Sequence, residues 1–543
     1  MSIPDTTPLH SILSVIGETS LRDVSVHDVG AKAYNLMRMT EAGLAVPPGF
    51  VLGAELCGAY HRTGGHLPHG VVDLVREGVE RVERATGSQF GAERRPLLLA
   101  VRSGAAVSMP GMLETILDVG LSDATLPGLL RSTGDPVFVW DSYRRLVQSY
   151  GEVVEGCPAA PFAAVLSEAA GRYGVPTVAE LDVAGLQGVV RKLQDVYQLL
   201  AGHPFPQDPM SQLVGAVEAV LRSWDAPRAA EYRSLEGLTD LVGTAVTVQA
   251  MVFGNRGVTS GSGVAFTRDP ATGEDRLYVD FLLNAQGEDV VAGRHAAGDP
   301  EPLIAAVPGL GHELQVVRRR LESLFGDAQD FEFTVEEGRL WLLQTRTAMR
   351  TPWAAIQIAC DLVDEELIDP ATAVERLRGL DLDRITRVRL AADEDTAPLA
   401  QGVPAGTGVA TGRVALTVEA ARRYAERGEP VVLVRDEAST EDIAGLAVCE
   451  GLVTATGART SHAAVVARQL GVVCVVGCLD LSFDARRCRL RVGTVELNEG
   501  DTITVDGSHG LVYSGRLEIR TEQPTDAIER VRGWLAADSG RPS

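Results

Sequence analysis

The stretch GLVTATGARTSHAAVVARQLGVVCVVGC, residues 451–478, decides how the chain is read. Its opening GLVTA is an apolar run with β-branched residues, which predicts a buried strand. A glycine-containing turn follows, then Thr460, Ser461 and His462, then AAVVARQL, a helical run that Gly471 stops. Thr460 or Ser461 suits the N-cap position, because a short hydroxyl can accept from an unpaired backbone N–H of the first turn. His462 then falls in the first turn, at the positive end of the helix dipole. Backbone N–H groups at such an end stabilise a bound or covalent phosphate. A neutral imidazole there can attack a phosphoryl group. The plain alternative is a capping hydroxyl followed by a surface histidine, and the pattern alone leaves both open.

Around this stretch, residues 401–520 alternate short strands (GRVAL, PVVLVR, GLVTA, VVCVVG, TITVDG, GLVYSG) with helical pieces, as a compact α/β domain does. Residues 356–400 begin with a helix, AAIQIACDLVDEELI, and end in the acidic, irregular AADEDTAP; they predict a hinge or linker. Residues 1–355 form the first region, and within it 125–235 carry apolar residues at three- and four-residue spacing, predicting helices. From Gly243 the period becomes strand-like: TAVTVQAMVFG, the glycine-rich GNRGVTSGSG, then GVAFTRDP, which together predict a hairpin. Further strands are expected at RLYVDFLL and across DFEFTVEEGRLWLLQT, with EEG as the turn. Residues 521–543 read as a short helix and a polar tail.

The 543 residues suggest roughly three or four units by ordinary domain size. Composition is globular, with 45% apolar and 23% charged residues. The formal charge of −23 argues against nucleic acid or an anionic membrane as partner, since phosphate binding at scale needs a basic face. It leaves room for a nucleotide pocket, which needs only a few local cations. No run approaches the ~18 apolar residues of a membrane span, and the N-terminus has no secretory pattern. The seven scattered cysteines read as reduced thiols, so a cytoplasmic location is expected. Cys474 and Cys478 lack a second ligand pair nearby and read as structural. Only two residues are lysine, Lys32 and Lys192, which singles out any lysine inside a motif.

A metal site is legible at residues 329–346. Asp330 and Glu332 share one face of a predicted strand, with apolar neighbours on the other. Gln344 and Arg346 share a face of the next strand. Two carboxylates and an amide oxygen are hard donors that suit Mg²⁺ bridging nucleotide phosphates. A hairpin with a solvated acidic edge would give the same pattern. No Walker A motif and no GxGxxG after a strand occurs, which disfavours P-loop and dinucleotide folds.

Residues 451–478 closely resemble the phosphohistidine signature of the phosphoenolpyruvate-utilising enzymes, pyruvate phosphate dikinase and phosphoenolpyruvate synthase. Ser461 follows the dikinase form, whereas Ala458 and Arg459 replace its Gly-Met. VPAGTGVATG, residues 403–412, resembles the segment found upstream in that family. GAKAYNLMRMTEAGLAVPPGF (30–50), PLLLAVRSGAAVSMPGMLETILDVGL (96–121), DSYRRLVQSYGEVV (141–154) and residues 243–293 are similar to the family's nucleotide-binding region. The resemblance spans roughly residues 20–520.

The resemblance implies a multidomain α/β (α+β) chain. An ATP-grasp nucleotide-binding domain with a helical insertion would occupy 1–355, and a swivelling phosphohistidine β/β/α domain 401–520. His462 would be the phosphorylated residue and Thr460 the position phosphorylated for regulation in some dikinases. Lys32, Arg102 and Arg346 would neutralise phosphates, beneath a loop from Ser103 to Thr115. Gln249 would begin the adenine side, and Asp280, where the family usually has Glu, would face ribose or phosphate, with Gln286 and Glu288 in a strand-end loop. Asp330, Glu332 and Gln344 would hold Mg²⁺. The reaction expected is ATP-dependent phosphotransfer through phospho-His462 with release of AMP, the γ-phosphate going to phosphate or water. The family's enzymes continue into a (β/α)₈ barrel of ~250 residues, more than the chain has beyond His462. The acceptor is therefore expected on a separate barrel subunit, or to be a small-molecule hydroxyl as in related rifampicin- and phenol-phosphorylating enzymes. A non-catalytic or regulatory phosphocarrier with the same fold is the alternative.

Overall fold

In the computed structural model the described residues are 12–107, 109, 114–235, 237–238, 240–287, 304–305, 307–391, 396–437, 442–457, 462–484, 489–492 and 495–539. They form two compact units: residues up to Arg256 with Trp341–Thr345, and Gly257–Leu340 with residues from Arg346 onward.

The first unit is built on a five-stranded sheet ordered Leu13–Val15, Gly49–Leu52, Ala245–Ala250, Leu99–Gly104, Thr115–Val119. Phe50, Leu52, Val246, Val248, Leu99, Val101 and Ile116 point to one face and are buried in a single apolar core. The helix Val71–Thr86 adds Val71, Leu74, Val75, Val79 and Val82 to that core, at the three- and four-residue spacing of an amphipathic helix. The 125–235 region holds the helices Leu126–Thr133, Pro136–Ser149, Ala159–Tyr173, Val183–Ala201, Pro209–Ser223 and Pro227–Leu235. Three of them start on an aspartate, Asp135, Asp182 and Asp208, whose carboxylate accepts first-turn backbone N–H groups.

A four-stranded sheet is ordered Arg339–Thr347, Gln329–Glu336, Gly261–Phe266, Tyr278–Leu283, and the last three of these strands belong to the second unit. The expected hairpin over residues 243–268 does not form. Ala245–Ala250 pairs with Gly49–Leu52 and Leu99–Gly104, whereas Gly261–Phe266 pairs with Tyr278–Leu283 and Gln329–Glu336. Both strands are buried at every position and take neighbours on both edges, so the glycine-rich segment between them joins two sheets. The second hairpin does turn at Glu337 and Gly338, both with positive φ (49° and 83°), as a tight two-residue connection requires.

An eight-stranded sheet comes next, ordered Ala400–Gln401, Leu511–Ser514, Thr502–Asp506, Val409–Ala415, Val431–Arg435, Gly451–Thr454, Val473–Val476, Val403–Gly406. Its four middle strands from Val409 to Val476 are parallel. Val431–Arg435, Gly451–Thr454 and Val473–Val476 read as nearly continuous apolar runs because both faces are covered. The helices Val418–Glu426 and His462–Gln469 pack on one face through Ala420, Ala421, Ala464 and Ala467. A small sheet of Leu481–Asp484, Arg489–Val492 and Val495–Asn498 packs on the other through Leu481, Leu490, Val492 and Leu497. The order of layers is therefore helix, sheet, sheet.

Residues 356–400 are more structured than a bare linker. They contain the helix Pro370–Arg376 and the strand Arg387–Leu390, which pairs antiparallel with Ile519–Glu522. The C-terminal segment, expected as a short helix and tail, is the helix Thr525–Ser539. It buries Ala527, Ile528 and Val531 against Ile356, Cys360 and Ala373.

Candidate nucleotide and phosphohistidine site

The sequence-predicted residues fall into three groups. The first lies on the polar face of the five-stranded sheet. Val51, Thr247, Arg102 and Thr115 stand side by side across four strands, and Gly49, Gln249 and Ala100 form the neighbouring row. Directly paired residues share a face, so Arg102, Thr115, Thr247 and Gln249 all face away from the apolar core.

The helix Val26–Glu41 approaches this face at Gly104, and its sequence explains how. Gly30 has φ +79° and breaks the helix near its start, and a Cβ there would lie 2.1 Å from the Gly104 carbonyl oxygen. Only glycine allows both the conformation and the approach. The next residue, Ala31, donates its N–H to the Ala105 carbonyl at 2.9 Å. Lys32 is thereby fixed beside the end of the strand that carries Arg102; a Cβ on Gly104 would lie 3.9 Å from that of Lys32. Arg102 donates from Nη1 to the Leu343 carbonyl at 3.0 Å. Gln249 is buried and gives its amide nitrogen to the Pro47 carbonyl at 2.9 Å, a structural bond its sequence did not suggest. Gln344 belongs to the Trp341–Thr345 segment of this unit.

The second group lies on one face of the four-stranded sheet. Glu332 stands opposite Val264, which stands opposite Asp280; Asp330 stands opposite Phe266, which stands opposite Tyr278. Asp280, Asp330 and Glu332 therefore share a face, while Phe331, Phe333 and Phe281 turn to the other, where Phe281 and Phe333 stack. Tyr278 donates its hydroxyl to Asp280 Oδ1 at 2.9 Å. Arg346 donates from Nε to Asp330 Oδ2 at 2.8 Å, with the carboxylate 4% exposed. Burial pushes the Asp330 carboxyl up to about 6, and Arg346 pulls against that rise. Burial also opposes the charge on Arg346, yet Asp330 holds the guanidinium above its ordinary value, so the pair is ionised at neutral pH. Gln286 is buried just beyond the strand Tyr278–Leu283; Glu288 lies outside the described residues.

The third group is the histidine segment. The strand Gly451–Thr454 leads toward the helix His462–Gln469, which begins at His462; Thr460 and Ser461 lie outside the described residues. Arg468 of this helix donates from Nε to the Ala405 carbonyl at 3.2 Å, in the segment 403–412. The same arginine contributes to the field at Asp330, lowering its pKa. Cys474 and Cys478 are fully buried, and burial pushes both thiols up to about 12, as structural thiols require.

Among the described residues no three His, Cys, Asp or Glu side chains converge as a self-sufficient metal cage. A site of two carboxylates completed by an amide and by nucleotide phosphates would not need one. Asp330 and Glu332 are hard oxygen donors on one face, and Asp330 is a desolvated carboxylate whose charge a cation would offset. That donor set fits Mg²⁺.

Two family descriptions match the chain: "Pyruvate phosphate dikinase, AMP/ATP-binding domain" over residues 65–300, and "PEP-utilising enzyme, mobile domain" over residues 427–510. Pyruvate, phosphate dikinase of Clostridium symbiosum is 42% identical over 521 residues, covering 95% of this chain and 59% of that protein. The Rhizobium meliloti enzyme is 42% identical over 525 residues (94% and 58%). The chloroplastic Arabidopsis thaliana enzyme is 41% identical over 511 residues (94% and 53%). The chain thus spans under two thirds of the length of these relatives, and the matches support the family resemblance drawn from its motifs. No helix among the described residues is long and apolar enough to cross a membrane.

Proposed function

We propose that the chain carries out the nucleotide half of a dikinase-type reaction, moving a phosphoryl group from ATP to His462 and then to an acceptor. The observation that carries this reading is geometric. Asp280, Asp330 and Glu332 share one face of a sheet, with Arg346 bonded to the buried Asp330 at 2.8 Å, which is a set of carboxylates and a cation suited to a metal-bound polyphosphate. The likeness to pyruvate, phosphate dikinases over 95% of the chain supports it.

In this reading ATP is bound by Lys32, Arg102 and Arg346, with Thr115 on the Arg102 face. A lysine suits a polyphosphate as a point charge, and arginine forks suit individual phosphate oxygens. Gln249 and the residues after it border the adenine side; Asp280 and Gln286 border ribose or phosphate. Asp330, Glu332 and Gln344 hold Mg²⁺, which when bound offsets phosphate charge. His462 attacks the β-phosphoryl group, its N–P bond forming as the bond to the AMP oxygen breaks. AMP leaves, and the γ-phosphate passes to phosphate or water. Thr460 is a regulatory position. Phospho-His462 is then carried to the acceptor by rotation of the residues between the paired strands Arg387–Leu390 and Ile519–Glu522, which brings two sites together in turn. The acceptor is pyruvate on a separate barrel subunit or a small-molecule hydroxyl.

Incubation with β- or γ-labelled ATP and Mg²⁺ tests this. Acid-labile label from the β-position, absent in His462→Ala and accompanied by AMP, is expected. Absence of label in the wild type, or ADP as the product, would overturn it. Addition of pyruvate, then of phenolic acceptors, to the labelled protein identifies the acceptor by discharge.

A further inference from the structure

Two side chains of the first unit reach the backbone on either side of Gln344. Asn35, on the helix Val26–Glu41, donates from Nδ2 to the Thr345 carbonyl at 2.9 Å. Arg102 donates from Nη1 to the Leu343 carbonyl at 3.0 Å. The two donors therefore hold the backbone immediately before and immediately after Gln344. On its N-terminal side the segment is fixed again, by the Leu342 N–H donating to the Ala45 carbonyl at 2.8 Å.

Asn35 lies three residues after Lys32, so the two share a helix face. One helix therefore indexes both the lysine and the segment that carries Gln344. Arg102 already has a phosphate to bind in the proposed reaction, whereas Asn35 has no chemical task there. We propose that Asn35 is a positioning residue: it fixes the peptide after Gln344 and so aims the Gln344 amide oxygen at the metal. This rests on the assignment of Gln344 as a metal ligand. Groups that orient metal ligands typically matter about 10–100-fold in affinity or activity when removed.

The test uses the full chain, with Mn²⁺ as probe and a non-hydrolysable ATP analogue present. Bound Mn²⁺ is read from loss of the free-ion electron paramagnetic resonance signal. Asn35→Ala is expected to weaken Mn²⁺ binding by roughly 10–100-fold, with metal-free analogue binding within about twofold of wild type and an unchanged melting temperature. Asn35→Asp, which sets an acceptor against the Thr345 carbonyl, is expected to be at least as weak. Wild-type Mn²⁺ affinity in Asn35→Ala, or an equal loss of metal-free analogue binding, overturns the proposal. Gln344→Ala separates the two layers. If it leaves Mn²⁺ affinity unchanged, the ligand assignment falls and the role of Asn35 falls with it. If it weakens Mn²⁺ binding while Asn35→Ala does not, only the role of Asn35 falls.

Discussion

Asp280 and Glu332 stand opposite the same residue, Val264, from the two strands that flank it. Adjacent strands lie about 4.8 Å apart, so the two carboxylate-bearing positions are about 10 Å from each other on one face. That spacing suits one group on the metal side of a nucleotide and the other on its ribose or inner phosphates. Asp280→Asn keeps the acceptor for the Tyr278 hydroxyl and removes the charge. It is expected to lower ATP-dependent labelling of His462 by at least about tenfold, in line with loss of a charged hydrogen-bond partner, with little change in melting temperature. Labelling at the wild-type rate would remove Asp280 from the site.

The Asp330 carboxyl gives a pH dependence with an unusual sign. Its folded value of about 6 lies above the ordinary 3.8. Between these values the folded protein binds more protons than the unfolded chain, so this group's contribution to stability falls as pH rises through that window. Phosphohistidine formation should move the opposite way, because the protonated carboxyl no longer ligates a cation. Labelling measured from pH 5 to 8 is expected to rise through an inflection near 6 at subsaturating Mg²⁺, and the part of that rise due to Asp330 is expected to move to lower pH as Mg²⁺ is raised. A wild-type profile flat across that range counts against Asp330 as a ligand.

Asp141 tests the scaffold. Its carboxylate is 11% exposed and bonds to Arg144 Nε at 2.7 Å and Arg145 Nε at 2.8 Å. Burial opposes its charge, but the two guanidinium groups overcome that and hold the carboxyl below its ordinary range. The stability it contributes is present above the unfolded value and lost as pH falls through the folded one. Asp141→Ala leaves Arg144 buried without its partner and is expected to cost about 3–5 kcal/mol at neutral pH. Urea denaturation at pH 7.5 and at pH 3 measures it, and an equal cost at both would show that the loss is one of packing.

Gly30 and Gly104 make a matched pair of substitutions. Gly30→Ala forces a side chain into a left-handed conformation and against the Gly104 carbonyl, while a Cβ on Gly104 meets nothing nearer than 3.8 Å. The strain alone is worth about 1–3 kcal/mol, and relief requires the helix to shift away from the Arg102 strand. Gly30→Ala should therefore weaken binding of an ATP analogue through Lys32, and Gly104→Ala should leave it nearly intact. Fluorescence titration compares them, and equal affinities would sink the idea that Gly30 sets the place of Lys32.

The sequence was legible where periodicity was strong. Alternation across residues 329–336 put Asp330 and Glu332 on one strand face, which is where the register places them. The same rule applied to residues 278–283 would have found Tyr278 beside Asp280. The segment 243–268 misled because fully buried strands do not alternate, so nothing in them marked which sheet each would join. Asn35 was missed because its bond goes to a backbone carbonyl 310 residues away, and backbone acceptors leave no trace in residue identity. The C-terminal helix was underestimated for a related reason. Its apolar stripe of Ala527, Ile528 and Val531 is thin, and its partners lie in the segment 356–376.

The pairing of Arg387–Leu390 with Ile519–Glu522 has a further consequence. The histidine-bearing layers are inserted between two crossings of the chain that lie against each other, so they are held as a door is held by a two-leaf strap. Separation of the two crossings requires the paired strands to unzip. A proteolytic nick in either crossing would not release the histidine layers, and if they rotate as proposed it would turn that restrained rotation into diffusion on a single leash. The local concentration of His462 at its target would then fall with the length of that leash.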